Sequence, residues 1–220
     1  MISPSAVRRL TKYLSCVQAL HDRGVEWVSS QELADQLGVT SSTVRQDLTH
    51  VEFSGLSRRG YQTCGLLSVL SRMLGADSVW TMAVAGAGNL GRALVLHQEF
   101  ARRGFRICLV FDSDPKKIGR KIGSLTVRDI RSLPSALRGR RADIGVIAVP
   151  ASAAQKVADL FVVGGVRGVL NLTHAHILAP GRVAVAEVRI VASLQELAHA
   201  IQCQRLVTAG PRKANPSEKR

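Results

Sequence analysis

Residues 84–91 read Val-Ala-Gly-Ala-Gly-Asn-Leu-Gly, and Asp112 follows Gly91 by 21 residues at the close of a second apolar run. Three glycines at this spacing, with an acid at that distance, suit the binding of a dinucleotide. Gly86 allows a tight turn and Gly88 the close approach of backbone to a pyrophosphate. Gly91 lets a helix pack closely on a strand, and the helix N-terminus faces the phosphates. Ala87, Asn89 and Leu90 complete the candidate loop. Asp112 can accept hydrogen bonds from both hydroxyls of an adenosine ribose and would repel a 2′-phosphate, so NAD(H) is expected rather than NADP(H). Lys116, Lys117, Arg120 and Lys121 pull the other way if they hold such a phosphate, with Lys117 taken as a candidate cofactor contact, or else they form a solvated loop.

This chemistry needs strands and helices to position it. Trp80 to Ala85 is apolar enough for a buried strand, Arg92 to Arg103 can form a helix, and Arg106 to Phe111 is a second strand ending at Asp112. Residues 142–149 form a third strand, followed by a helix from about Ala153 to Val163. Val166 to Leu172 and Arg182 to Val188 are further strands. Alternating strands and helices imply a doubly wound parallel sheet, with ligand bound beyond the carboxyl ends of the strands where their order reverses. That rule places Val149, Pro150 and Thr173 near a nicotinamide. A dehydrogenase would also need a proton-transfer residue there. His174 and His176 are the nearby candidates, and the chain has no further domain to hold a substrate. A binding module is therefore preferred, with an NAD-dependent oxidoreductase bearing an accessory helical domain as the alternative.

About 78 residues precede the first strand of this domain. Val7, Leu10, Leu14 and Val17 mark the stripe of a helix reaching about Asp22. Ser29-Ser-Gln-Glu32 is a capping-box pattern that opens a second helix ending near Gly38. Thr40 or Ser41 caps a third, with Val44, Leu48 and Val51 on one face. Two short helices joined by a Gly-containing turn make a helix-turn-helix. Residues 52–61 then read as a hairpin-like wing with two arginines at its tip. The outer face of the third helix offers Ser42, Thr43, Arg45 and Gln46. The hydroxyls suit phosphate, and Arg45 and Gln46 are long enough to reach guanine and adenine edges in a major groove. Arg58, Arg59 and Tyr61 on the wing would meet backbone or minor groove. A small helical domain with merely solvated polar residues is the alternative.

Apolar residues make up 46% of the 220, which favours a globular chain over a disordered one. No run has the length of a membrane span, and the N-terminus lacks a leader-like charged-then-apolar segment, so a cytoplasmic protein is expected. Cys16, Cys64, Cys108 and Cys203 are scattered without a C-x-x-C pair, which reads as reduced thiols rather than a metal site. The net charge of +14 implies a polyanionic partner. Its distribution is uneven. Residues 1–78 hold 8 basic and 7 acidic residues, whereas 79–205 hold 18 and 8. The excess therefore does not itself locate a DNA surface.

Several segments taken together resemble the Rex family of redox-sensing transcriptional repressors, from Ser5 to about Leu206. They are Arg9-Leu-Thr-Lys-Tyr-Leu14, Val44-Arg-Gln-Asp-Leu48, Gly60-Tyr61, Gly86-Ala-Gly-Asn-Leu-Gly91, Phe111-Asp-Ser-Asp-Pro-Lys-Lys-Ile-Gly119, Val149-Pro-Ala151 and Ala154-Gln155. The resemblance implies a homodimer whose C-terminal helices are exchanged between subunits. It implies binding to inverted-repeat operator DNA, release by NADH, and competition from NAD+. The chain also departs from the family pattern. Leu172-Thr-His174 stands where the family usually has Phe-Ala-Pro. Where some relatives place an arginine near 15, a tyrosine near 97 and an aspartate near 189 as an inter-domain switch, this chain has Ser15, His97 and Arg189. A bridge between an aspartate and an arginine cannot form from Ser15 and Arg189.

The expected architecture is α/β. A winged helix-turn-helix domain (1–78) is followed by a Rossmann NAD(H)-binding domain (79–192). A dimerisation helix (193–206) carries Leu194, Leu197 and Ile201 on an apolar stripe, and a disordered tail (207–220) ends the chain. A repressor that is not an enzyme is the expected function, and a nucleotide-binding scaffold without sensing is a third reading.

Overall fold

The computed structural model describes residues 2–139 and 141–208. They fall into two compact units that divide between Val79 and Trp80, the first also taking in residues 102–104.

The first unit is helical. Helix α1 (Pro4–Asp22) starts where the Ser3 side chain accepts from Ala6 N at 3.2 Å, with proline in the first turn, where its missing N–H costs nothing. Its buried face is Ala6, Leu10, Tyr13, Val17 and Leu20. That corrects the expected stripe, since Val7 is 37% exposed and Tyr13 takes the inward position. Strand β1 (Trp27–Val28) precedes α2 (Ser30–Leu37). The capping box of α2 is complete, with Glu32 N donating to Ser29 Oγ at 3.1 Å and Ser29 N to Glu32 Oε2 at 2.7 Å. Gly38, at φ 65°, ends the helix in the left-handed region. Helix α3 (Ser41–Thr49) is capped by Thr40, which accepts from Thr43 N at 3.1 Å.

The wing is hairpin-like at its tip, where Leu56 and Gly60 pair antiparallel (Leu56 N to Gly60 O, 2.7 Å; Gly60 N to Leu56 O, 3.0 Å), and the chain then enters β2 (Tyr61–Gln62). This strand pairs antiparallel with β1, Val28 opposite Tyr61. Helix α4 (Thr63–Met73) follows and buries Leu66 and Leu70 against α1, an element not anticipated from the sequence.

In the second unit a seven-stranded sheet holds β3 (Trp80–Ala85), β4 (Phe105–Asp112), β5 (Lys121–Ile122), β6 (Leu125–Asp129), β7 (Ile144–Ile147), β8 (Gly168–Asn171) and β9 (Ala184–Glu187). Their order is β5-β6-β4-β3-β7-β8-β9, every pair parallel except β5 with β6. Omitting the β5 edge, this is the doubly wound dinucleotide-binding order, reversing between β3 and β7. Helices α5 (Asn89–Leu96), α6 (Gln98–Arg102), α7 (Leu133–Gly139) and α8 (Ala154–Gly164) cover its two faces. Ala83, Ala85 and Phe111 pack with Leu133, Val157 and Phe161 on one face. Met82, Val84 and Val146 pack with Leu94, Val95 and Phe100 on the other. The alternation within β3 is what burial of both faces requires.

Three further expectations need correction. The single helix drawn over 92–103 is two, broken at His97, whose backbone is extended (φ −80°, ψ 105°). The sequence pattern places no strand between Asp112 and residue 142, where β5 and β6 lie. The last helix, α9 (Ile190–Thr208), begins three residues before Ser193, and positions 207 and 208 of the expected disordered tail are helical. The rest of that tail lies outside the described residues. From Ser193 to Gln204 every side chain of α9 is exposed, including Leu194, Leu197 and Ile201. No helix among the described residues is long and apolar enough to cross a membrane.

Candidate functional site

The three fingerprint glycines have separable roles. Gly86 lies at φ 106°, and a Cβ there would sit 2.2 Å from Ala148 O, against the loop that leaves β7. A Cβ on Gly91 would meet Gly86 O at 1.8 Å. Both are glycine because the fold itself leaves no room. Gly88 differs, with ordinary dihedrals (φ −78°, ψ −169°) and nothing within 4 Å of a Cβ. It stands at the N-cap of α5 without a side-chain cap, so the donors of the first turn face open space. A side chain at Gly88 would be tolerated by the protein but would fill the space in front of those donors. Uncapped backbone donors at a helix N-terminus have the chemistry to receive a phosphate.

Asp112 closes β4 and is 7% exposed. Its Oδ2 accepts from Ala87 N at 2.7 Å and from Lys117 Nζ at 3.1 Å, and its Oδ1 accepts from Asp114 N at 2.8 Å. Burial pushes the Asp112 carboxyl up, but the Asp114 and Ala87 amides, aided by Lys117, outweigh it and hold the group below the ordinary carboxylate value. Of about four acceptor positions on a carboxylate, three are therefore taken. One position is left open, and another is held by Lys117. Lys117 is also 4.0 Å from Asp114, whereas Lys116, Arg120 and Lys121 are exposed.

Beyond the carboxyl ends of β7, β8 and β9 lies a cleft of about 680 Å³ lined by Val149, Pro150, Leu172, Thr173, His174, His176 and Arg189, among others. The turn between Asn171 and Ala175 is tied by its own side chains. Asn171 is fully buried, donates from Nδ2 to Ala175 O at 2.7 Å, and accepts at Oδ1 from Thr173 N at 3.0 Å and Thr173 Oγ1 at 2.8 Å. Thr173 Oγ1 also accepts from Ala175 N at 3.2 Å. The Thr173 hydroxyl thus serves the turn, while Thr173 itself lines the cleft. Val149 and Pro150 line the cleft as expected from the strand order.

On the other unit, Asp47 of α3 is 3% exposed and points inward. Arg9 grips it from α1 through Nε at 2.6 Å and Nη2 at 2.7 Å, and Tyr13 OH donates to it at 2.9 Å. Arg9, then Tyr13, hold the Asp47 carboxyl below its ordinary range despite burial, and burial with the carboxylate pushes the Tyr13 phenol up to about 12. This cluster fixes which face α3 turns outward. Ser42, Arg45 and Gln46 are exposed, while Thr43 is half-buried with its hydroxyl 2.8 Å from that of Thr40. Arg45 Nη1 donates to Ser30 Oγ at 3.0 Å. Arg45, Arg58, Arg59 and Tyr61 border one concavity of about 350 Å³. Tyr61 is 8% exposed and packs near Phe53, so it is mainly a core residue that seats the wing. The Arg59 guanidinium stacks 4.2 Å above the Trp27 ring. Arg58 is exposed at φ 63°, a conformation few side chains adopt. Trp27, which sequence reasoning missed, has its Nε1 buried without a hydrogen-bond partner among the described residues.

Ser15, His97 and Arg189 each have a partner close by in sequence. Ser15 Oγ donates to Thr11 O within α1, and the His97 ring lies 5.3 Å from that of Phe100. Arg189 pairs with Glu187 on its own chain.

Residues 77–175 match a family model described as a CoA binding domain, and residues 1–49 one described as the N-terminus of a putative DNA-binding protein. The redox-sensing transcriptional repressor Rex of Caldicellulosiruptor bescii is 39% identical over 198 residues, covering 90% of this chain and 91% of that protein. This chain belongs to the Rex family of redox-sensing transcriptional repressors. Rex of Rubrobacter xylanophilus is 41% identical over 193 residues, covering 88% of this chain and 89% of its own. Among solved structures, the Rex-family repressor RSP in complex with β-NAD+ and operator DNA superposes with a TM-score of 0.89 at 29% identity, over 97% of this chain and 99% of that one. RSP in complex with β-NADH gives 0.86 at 30% identity, over 95% and 98%. Rex proteins are repressors and not enzymes, so the histidines at the cleft need no catalytic role.

Proposed function

We propose that this chain is a cytoplasmic, NADH/NAD+-responsive transcriptional repressor that binds inverted-repeat operator DNA as a homodimer and is released by NADH. The open space before the donors at Gly88 carries the cofactor half of this reading, because a glycine free of backbone strain and of crowding makes room for something outside the protein. Gly86, Ala87, Gly88, Asn89, Leu90 and Gly91 cradle the pyrophosphate. Asp112 with Lys117 takes the adenosine ribose, and Val149, Pro150 and the Thr173 turn border the nicotinamide. A carboxylate here meets ribose hydroxyls and disfavours a phosphorylated ribose, which supports NAD(H) over CoA or NADP(H).

In the DNA-binding unit, Arg45 and Gln46 read base edges, Ser42 and Thr43 meet phosphate, and Arg58 and Arg59 address the backbone beside the wing. A two-fold dimer through α9 presents two copies of α3 to the two half-sites, with the helices exchanged between subunits. That RSP carries β-NAD+ and operator DNA in one structure and β-NADH in another supports the same division of labour. A gel shift on the DNA upstream of the chain's own coding sequence tests the reading. Binding that NADH weakens and NAD+ restores is expected, and binding indifferent to NADH would overturn it.

A further inference from the structure

The oxidised and reduced forms of the proposed cofactor share every group except the nicotinamide ring. That ring carries a positive charge in NAD+ and none in NADH. A site that discriminates between them therefore needs an electrostatic signal at the ring end, beyond the carboxyl ends of the strands. The cleft at β7, β8 and β9 is lined there by Arg189, His174 and His176, while Glu187 is not among its lining residues. Glu187, the last residue of β9, is only 19% exposed at its side chain. Its Oε1 lies 2.9 Å from His176 Nδ1, and its Oε2 accepts from Arg189 Nε at 2.9 Å and from Arg189 Nη2. The carboxylate is thus turned to its two partners, and the cation stands on the cleft side of the pair.

We infer that Arg189, held at the cleft by Glu187, is a specificity-determining residue that favours the neutral reduced ring over the cationic oxidised one. The guanidinium repels a pyridinium and leaves a dihydropyridine nearly untouched. Glu187 sets how strong that repulsion is by neutralising part of the charge. Removing Arg189 leaves the Glu187 carboxylate facing His176 without the guanidinium, so the local field becomes more negative. Removing the Glu187 charge leaves the guanidinium uncompensated, so repulsion grows. The two changes act on NAD+ in opposite directions.

The inference rests on the cofactor reading above, and one titration on the full chain separates the two. NADH and NAD+ are titrated into wild type, Arg189→Gln, Arg189→Lys and Glu187→Gln by calorimetry without DNA, with thermal unfolding as the folding control. Arg189→Gln is expected to tighten NAD+ relative to NADH by about fivefold, the order of one unit charge acting through a partly solvated site. Glu187→Gln should move that ratio the other way, and Arg189→Lys should hold it near the wild-type value. A ratio that neither Gln variant moves, or that both move in one direction, overturns the inference. Failure of wild type to bind either form would instead overturn the cofactor reading.

Discussion

Arg9 of α1 and Asp47 of α3 are joined by two hydrogen bonds of 2.6 and 2.7 Å across 38 residues of sequence. Tyr13 adds a third contact to the same carboxylate. Asp47 lies between Gln46 and the buried Leu48, so its inward pull determines that Arg45 and Gln46 face out.

Asp47→Ala should therefore destabilise the DNA-binding unit by about 1–3 kcal/mol, because the buried Tyr13 hydroxyl loses its acceptor. The pH dependence follows the same carboxylate. Its pKa is lowered by folding, so the pair contributes its full stability above the ordinary carboxylate value of about 3.9 and loses it as pH falls through the lower folded value. Thermal unfolding followed below pH 4 should show wild type losing stability that the alanine variant never had. A pH profile with the same shape in both proteins would contradict this.

The glycine geometry predicts opposite outcomes for two superficially similar substitutions. Gly91→Ala places a Cβ 1.8 Å from Gly86 O and should prevent the nucleotide unit from folding correctly. Gly88→Ala meets no protein atom, so its melting temperature should stay close to wild type while NADH affinity falls at least tenfold. Circular dichroism and calorimetry on both variants decide the matter, and normal NADH binding by Gly88→Ala would remove the assigned pyrophosphate contact.

The wing arginines should behave unlike Arg45. Arg45→Ala is expected to cost about 1–3 kcal/mol on specific DNA and to relax preference at one base position. Arg59→Ala should weaken all sequences alike and reduce the salt slope by about 1. Stacking on Trp27 occupies the face of the Arg59 guanidinium and leaves its edge donors free. Trp27→Ala should accordingly weaken binding in the same sequence-independent way, with little further loss in the double variant. Additive losses would show that the ring does not position the arginine.

Deleting residues 193–220 should abolish the dimer, since Leu194, Leu197 and Ile201 present an exposed apolar stripe on α9. Sedimentation of the truncated chain checks this, and a stable dimer without α9 would move the interface elsewhere. In the intact dimer, NADH and operator should oppose each other by the same factor, typically 5- to 150-fold. Fluorescence titration of NADH with and without operator measures it.

Patterns confined to one segment were legible in the sequence. The capping box at Ser29 and Glu32, the left-handed Gly38 and the close approach of Gly91 to Gly86 O all depend on neighbours within a few residues. What escaped depends on partners far along the chain. Arg9, Tyr13 and Asp47 were noticed only as parts of separate segments. Strand β6 hides because only Val127 of its five residues is buried, leaving little apolar signal. The break at His97 carries no proline or glycine, and nothing in the structure explains why it falls there. Asp112 was correctly placed at a strand end, but the donors that already occupy it come from Ala87, Asp114 and Lys117, a grouping that exists only once the turn has closed.

The hold of Asp112 on Ala87 N has a consequence for what kind of gauge this protein is. That hydrogen bond ties the loop of residues 86–91 to the end of β4, and under the proposed function the loop addresses the half of the cofactor that oxidation leaves unchanged. Under the proposed function, both redox forms draw on that same grip, so total cofactor concentration governs only whether the site is filled. Once it is filled, the ring end alone decides which form wins. The repressor then reports the proportion of the two forms in the pool and is blind to the pool's size.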